Sequence, residues 1–191
     1  MHFLHKILVR IPDAVADREL YENDELIDAV RTYAENETES YYGQAYDWRE
    51  TDSAGRWSAR YPVNVLFADE DLDSFVHELE DAIQNQRHEL QFCLSEVKNS
   101  VGTDLERIAE GLAERKRAWK GEGGFNNMTA FYLHCVAAHL YGEYRCDSYF
   151  YNTSEWTAFI CAEDIESVKA DPSDWALVMF DYSVLLRALA M

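Results

Sequence analysis

Hydrophobic and polar positions change their period several times along the chain, and each change predicts an element. From His2 to Ile11 the run HFLHKILVRI is rich in β-formers. Phe3, His5, Ile7, Val9 and Ile11 share one face at the two-residue repeat of a strand, and Pro12 closes it. After a polar turn, Leu26, Ile27, Val30, Tyr33 and Ala34 return at helical spacing, which predicts a helix from about Asp24 to Glu39 with Asn23 as its N-cap. YYGQAYDWRE (41–50) reads as a strand. Thr, Asp, Ser and Gly then crowd into TDSAGRWSARYP (51–62), the composition of a long turn or loop, and VNVLF (63–67) predicts another short strand.

The middle of the chain is helical in pattern. Starting near Asp71, Leu72, Val76, Leu79, Ile83, Gln86, Leu90, Cys93 and Val97 recur at alternating four- and three-residue steps, the seam of a helical hairpin or coiled-coil-like pair. Gly102 and Thr103 break this helix. Thr103 is placed to cap a partner bearing Leu105, Ile108, Leu112 and Trp119, which GEGG (121–124) stops. Asn127 can cap a third helix, MTAFYLHCVAAHLYGEY, whose apolar residues lie on nearly all sides, so a central position is expected. DSYFYN (147–152), WTAFICA (156–162) and WALVMFDYS (175–183) then predict strands, with a short helix EDIESVKAD between the last two. The nearly unbroken apolar run 175–182 suits an interior strand covered on both faces. Together these elements predict an α+β fold: a small sheet joining N- and C-terminal strands, with a three-helix insertion (a helical hairpin plus a central helix). A single domain over 1–191 is expected, within which 70–144 can form a helical subdomain.

Composition changes this picture in one respect. Hydrophobic residues make up 48% and aromatics 14% of 191 residues, enough for a core without staples, and three prolines with eight glycines leave no flexible linker. The 17 Lys and Arg face 36 Asp and Glu, for a formal net charge of −19. Such an excess repels nucleic-acid phosphates and anionic membranes and attracts cationic partners over long range. The four cysteines form no CxxC, the N-terminal apolar run is too short for a signal peptide, and no window reaches membrane-spanning length. A cytoplasmic protein with reduced thiols is expected.

The charge is concentrated in two zones. In FADEDLDSFVHELEDAIQNQ (67–86), seven acids (Asp69, Glu70, Asp71, Asp73, Glu78, Glu80 and Asp81) precede any Lys or Arg. From Asp13 to Glu50, twelve acids face only Arg18, Arg31 and Arg49, with Glu22, Asp24, Glu25 and Asp28 as the densest group. The helix macrodipole accounts for acids at a helix start such as Asp69–Asp73. It does not account for Glu78, Glu80 and Asp81, since like charges three residues apart destabilise a helix slightly. Residues 104–122, by contrast, mix five acids with five bases. The two acidic zones are therefore read as a surface that attracts a basic partner.

Other candidate chemistry is thinner. His134, Cys135, His139 and Cys146 have partial metal-ligand spacing, but only Cys135 and His139 share a helical face and nothing matches a paired knuckle, so core thiols are the simpler reading. Asp69, Asp71 and Asp73 alternate as Mg²⁺ ligands of a metal-dependent hydrolase would, yet the surrounding charge opposes a polyanionic substrate. The basic stretch ERKRAWK (114–120) reads as a solvated helix face, and GEGG lacks the context of a phosphate cradle. No Ser or Cys has a nucleophile's local signature. No catalytic residue, metal or cofactor is assigned, and the expectation is a non-enzymatic protein. Trp48, Trp57 and Tyr61 alternate with Arg49, Arg56 and Arg60, the mixture favoured at interface anchors; the same aromatics can equally fold back over the core.

The stretches YDWRETDSAGRW (46–57) and DWALVMFDYS (174–183) resemble small uncharacterised proteins carried on mobile elements of gut Firmicutes, over most of the chain. The resemblance brings no activity and no catalytic residues. It implies a setting in which proteins blunt host defence, a strategy similar to that of anti-CRISPR and antirestriction DNA mimics. Rows of Asp and Glu can imitate duplex DNA, which presents one charge per roughly 1.7 Å of axis, and so occupy a groove lined by Lys and Arg. The expected partner is a basic nucleic-acid-binding protein, a CRISPR effector or other nuclease, with no direct contact to nucleic acid or membrane. The expected contacts are Asp69, Glu70, Asp71, Asp73, Glu78 and Asp81, then Glu22, Asp24, Glu25 and Asp28, with Trp48 and Trp57. An interaction adaptor without mimicry is the first alternative, and a metal-dependent hydrolase the second.

Overall fold

A strand that is apolar at both parities needs cover on both faces, and the two long strands at the chain's ends meet that need together. The computed structural model describes residues 2–39, 48–101, 127–141 and 150–183. The element order is β1 (His2–Arg10), α1 (Ile11–Ala14), α2 (Asn23–Thr38), β2 (Trp48–Glu50), β3 (Val65–Phe67), α3 (Leu72–Val101), α4 (Asn127–Tyr141), β4 (Phe150–Asn152), α5 (Ala162–Ala170) and β5 (Trp175–Ser183). The fold is α+β, and its N- and C-terminal strands are neighbours. β1 and β5 run antiparallel along their whole length, from His2 opposite Ser183 to Arg10 opposite Trp175. β4 lies parallel to β1 on its other side, with Lys6 opposite Phe150. The far edge of β5 is shared end to end by β2, opposite 181–183, and β3, opposite 176–178. Asn64 bridges the gap between these two short strands: its carbonyl accepts from Met179 N–H, and its side-chain amide donates to Thr51 and Met179 carbonyls.

The chain divides into two compact units, Met1–Ile83 with Tyr144–Met191, and Gln84–Glu143. In the first, the sheet carries a core on each face. Ile7, Val9, Ala176, Val178, Phe180 and Tyr182 point to one side, where Leu26, Val30 and Ala34 of α2 cover them. Leu8, Leu177 and Met179 point to the other, against Phe75, Leu79 and Ala82 of α3 and Ile165 and Val168 of α5. From Ala176 to Tyr182 β5 is buried throughout, the interior strand expected from its apolar run. In the second unit Cys93 and Val97 of α3 and Leu133 and Cys135 of α4 are buried, and Phe92 meets Tyr132 edge-on with ring centres 5.6 Å apart. The helix expected to be central, α4, belongs to this second unit, and its Met128 and His134 are exposed. The expected partner helix with Thr103 as cap, GEGG and the strand residues 41–47 lie outside the described residues.

Two local expectations need correction. WTAFICA is not a strand. Thr157 makes one isolated bridge to Asn152, after which the chain turns into α5, whose start at Ala162 consumes the end of the apolar run. The cap of α2 is Glu22 rather than Asn23: Asn23 is already helical, and Glu22 N–H donates to the Glu25 carboxylate three residues on, at 3.3 Å.

Candidate functional site

Strand directions decide where the acidic segments meet. β1 and β4 are parallel, and β3 is antiparallel to β5, so β1, β3 and β4 all finish at the end of the sheet where β5 begins. Four loops gather there. Residues 11–22 carry Asp13, Asp17, Glu19 and Glu22; 68–71 carry Asp69, Glu70 and Asp71; 153–161 carry Glu155; 171–174 carry Asp171 and Asp174. These ten acids share the loops with one base, Arg18. The helices α2 and α3 start beside this end too, which adds Asp24, Glu25 and Asp73 and supplies the positive pole that such first-turn acids favour.

Arg18 fastens the loops to one another. Its guanidinium donates to both carboxylate oxygens of Asp69 (2.9 and 3.2 Å) and to the Ser173 carbonyl (2.8 Å), and it lies 5.1 Å from the centre of the Phe67 ring. The Asp69 pair thus links the two acidic zones that are far apart in sequence. Beside it, Arg10 reaches Asp174 at 3.4 Å. Asp71 caps α3 by accepting from the Ser74 amide (3.0 Å) and hydroxyl (2.7 Å), and those bonds hold its carboxyl below its ordinary pKa. Glu70 and Asp73 are exposed, as are Glu22, Asp24, Glu25 and Asp28; Asp28 pairs with Arg31 one turn along α2. Most of the acids singled out from the sequence are therefore surface groups brought to one end of one sheet or to the helix starts beside it.

Glu78 is not one of them. It is 6% exposed, on the inner side of α3, where the sheet presents a buried lysine. Lys6 Nζ lies 2.7 Å from one Glu78 oxygen and also donates to the Glu78 carbonyl at 3.1 Å. Tyr61 OH donates at 2.9 Å and Arg60 at 2.5 Å. Burial alone raises a carboxyl's pKa, but the lysine, tyrosine and arginine together outweigh it and hold Glu78 below its usual value. The carboxylate expected in an exposed row is the centre of a neutralised interior cluster. Asp81, half-buried, sits 3.9 Å from Arg60 at the rim of that cluster.

The loop with alternating aromatics and arginines divides in the same way. Trp57 packs against the second core and Tyr61 is buried in it, so these two fold back. Trp48 is 42% exposed and leans on the His2 ring, 5.3 Å between centres. Arg49 pairs with Glu35 at 3.1 Å and with Glu39. The loop is pinned by Asp181, itself buried: one oxygen accepts from His2 Nδ1 (2.9 Å) and the other from the Arg56 amide (3.0 Å). Gly55 has φ +53° there, and a Cβ on it would stand 2.4 Å from the Asp181 carboxylate, so only glycine fits.

No protein-family model matches the chain, and no curated protein or solved structure does either. Its function must be argued from the geometry.

Among the described residues no group of three His, Cys, Asp or Glu is arranged to hold a metal ion, and no helix is long and apolar enough to cross a membrane. His134 is exposed and Cys135 buried; Cys146 and the His139 side chain lie outside what is described. Sequence reasoning missed Glu155, Asp171 and Asp174, because only the sheet's topology carries them to the acidic end. It also missed Leu20 and Trp156, exposed apolar residues on the same loops. Lys6 had a legible signal: it is the one charge inside an otherwise apolar strand, which implies a buried acid opposite.

Proposed function

We propose that the protein is an acidic inhibitor that fills the basic nucleic-acid groove of a defence nuclease, in the manner of anti-CRISPR and antirestriction DNA mimics. The observation that carries this reading is the gathering of ten acids on four connecting segments at one end of the sheet, where Arg18 and Arg10 pair with Asp69 and Asp174 and leave a large excess of carboxylates. A fixed array of carboxylates meets a Lys- and Arg-lined channel as phosphates do and excludes the nucleic acid, and opposite charge speeds the encounter. The segments are tied together there, since Arg18 bonds to Asp69 and to the Ser173 carbonyl and Asp71 caps the start of α3. The contacts proposed are Glu70, Asp73, Asp69 and Asp71, with Glu22, Asp24, Glu25 and Asp28 beside them. Glu78 has no place in that set.

The test is capture of partners from a lysate of the natural host, with and without excess duplex DNA. The expected partner is a nucleic-acid enzyme, released by the DNA and by rising salt. Lysine substitutions at Glu70 and Asp73 are expected to weaken capture more than the same substitutions at Glu39 and Glu50, which lie by Arg49 and opposite Asp181 at the other end of the sheet. Equal effects at the two pairs, or capture indifferent to DNA, would overturn the reading in favour of an adaptor that binds outside any groove.

A further inference from the structure

The loop after β4 is closed by a pair of backbone hydrogen bonds between Asn152 and Thr157, at 2.8 and 3.3 Å, around the four residues Thr153–Trp156. Trp156 ends that loop with φ +53°, the left-handed conformation that turns normally give to glycine or asparagine. A bulky side chain in that conformation costs stability. Burial offsets none of it, because Trp156 is 76% exposed. The fold therefore bears a strained backbone to display an indole that it does not itself cover.

The display is firm. Thr153 donates from both its amide and its hydroxyl to the Leu8 carbonyl, each at 3.0 Å. The Ser154 amide donates to the Asn152 side chain (3.1 Å), and the Ser154 hydroxyl to Asp13 (3.2 Å). Phe159, also partly exposed, follows three residues later with its amide bonded to the Thr157 hydroxyl. An aromatic held in advance loses little freedom when a partner takes it, and tryptophan is the residue most enriched among interface anchors.

We propose that Trp156 is the apolar anchor of the acidic end, inserting into a pocket that is rimmed by lysine or arginine on a basic protein. Charge complementarity selects this occupant. Glu155 precedes the indole, Asp13 is bonded to the loop, and no Lys or Arg occurs from Cys146 to Val168. An arginine at the pocket's rim can also stack on the indole face. The proposal rests on the inhibitor reading for the nature of the partner, and adds the residue that fixes its position.

The experiment compares the unaltered chain, Trp156→Gly and, as an exposed apolar control on α3, Phe92→Ser, for thermal midpoint and for affinity towards the DNA-released partner. Trp156→Gly is expected to raise the midpoint, as the left-handed position relaxes, and yet to weaken the partner by about tenfold or more. Phe92→Ser should leave that affinity unchanged. Affinity kept by Trp156→Gly, with release by DNA intact, overturns the anchor and leaves the inhibitor reading standing. Equal losses in the two variants overturn the anchor as well. Failure of the unaltered chain to hold any basic partner overturns both.

Discussion

Asp69–Asp73 and Glu78 belong to one acidic stretch and meet opposite fates. At the first, the chain leaves the sheet and the carboxylates face water, cap α3 or share one arginine. At the second, less than two helical turns later, the carboxylate is buried with Lys6, Arg60 and Tyr61 around it. The difference lies in what stands opposite. The inner face of β1 offers a cation to whichever α3 residue faces it, and Glu78 lies between Phe75 and Ala82 on that side of the helix. In a chain of net charge −19, the buried carboxylate is part of the fold's chemistry and the exposed ones are surplus to it. Only the surplus is open to a partner.

The strongest test of this division is Glu78→Ala. Removing one member of a buried ion pair leaves Lys6 charged and unpaired, which costs about 3–5 kcal/mol. Replacing the buried members together, Lys6→Met and Glu78→Leu with Tyr61→Phe so that no buried hydroxyl is left unpaired, is expected to restore stability to within about 1 kcal/mol, since apolar isosteres replace buried pairs with little loss. Urea unfolding reads both. If Glu78→Ala unfolds at the original midpoint, the interior cluster contributes nothing and the contrast with the acidic end is lost.

Acid titration reads the buried groups most directly. Burial drives His5, packed on Tyr182, from a pKa of 6.5 down to about 3. The unfolded chain therefore binds a proton that the folded one refuses between those values. The His5 contribution is complete above pH 6.5 and is lost as pH falls towards 3, at about 1.4 kcal/mol per unit within the window. Glu78, also depressed, adds its loss only below its ordinary value of 4.5. Asp71, held low by its bonds to Ser74, gives up its cap in the same direction. Stability measured from pH 7 to 5 should fall, and His5→Gln should flatten the fall. A fall of the same slope in His5→Gln would assign it to another group.

The two long strands, the three described helices of more than ten residues and the pairing of the chain's ends were legible because each follows from periodicity and composition. Of the seam Leu72–Val97, Leu79, Cys93 and Val97 are buried and the other five are half-buried, while Phe75, Glu78 and Ala82, which a two-position repeat leaves out, are buried too; the helix expected to pair with the seam lies outside the described residues. What could not be read was order across the sheet. That β4 lies parallel to β1, while β2 and β3 share one edge of β5, is a long-range fact, and it alone brings Glu155, Asp171 and Asp174 to the same end as Asp17 and Asp69. Glu78 misled because acids count alike in composition, whereas burial depends on the lysine across from them. WTAFICA misled because an apolar run with β-branched residues looks like a strand even when it is a turn whose last two residues, Cys161 and Ala162, cap and begin a helix.

The smallest effect is the sharpest on the question of what the acidic end is for. Glu70→Gln and Glu155→Gln touch exposed groups, and substitutions of that kind usually shift stability by within about 0.5 kcal/mol. Here the shift should be a gain, larger at low salt and fading as the Debye length shrinks to about 10 Å near 0.1 M, because each removes a like charge from a crowded end. Asp69→Asn should instead lose slightly, because Arg18 gives up its carboxylate. Thermal midpoints at two salt concentrations distinguish these signs. A loss at Glu70 and Glu155 would mean that these acids hold the fold, as Glu78 does. A gain would mean that the fold is more stable without them, so their presence answers to something outside the chain.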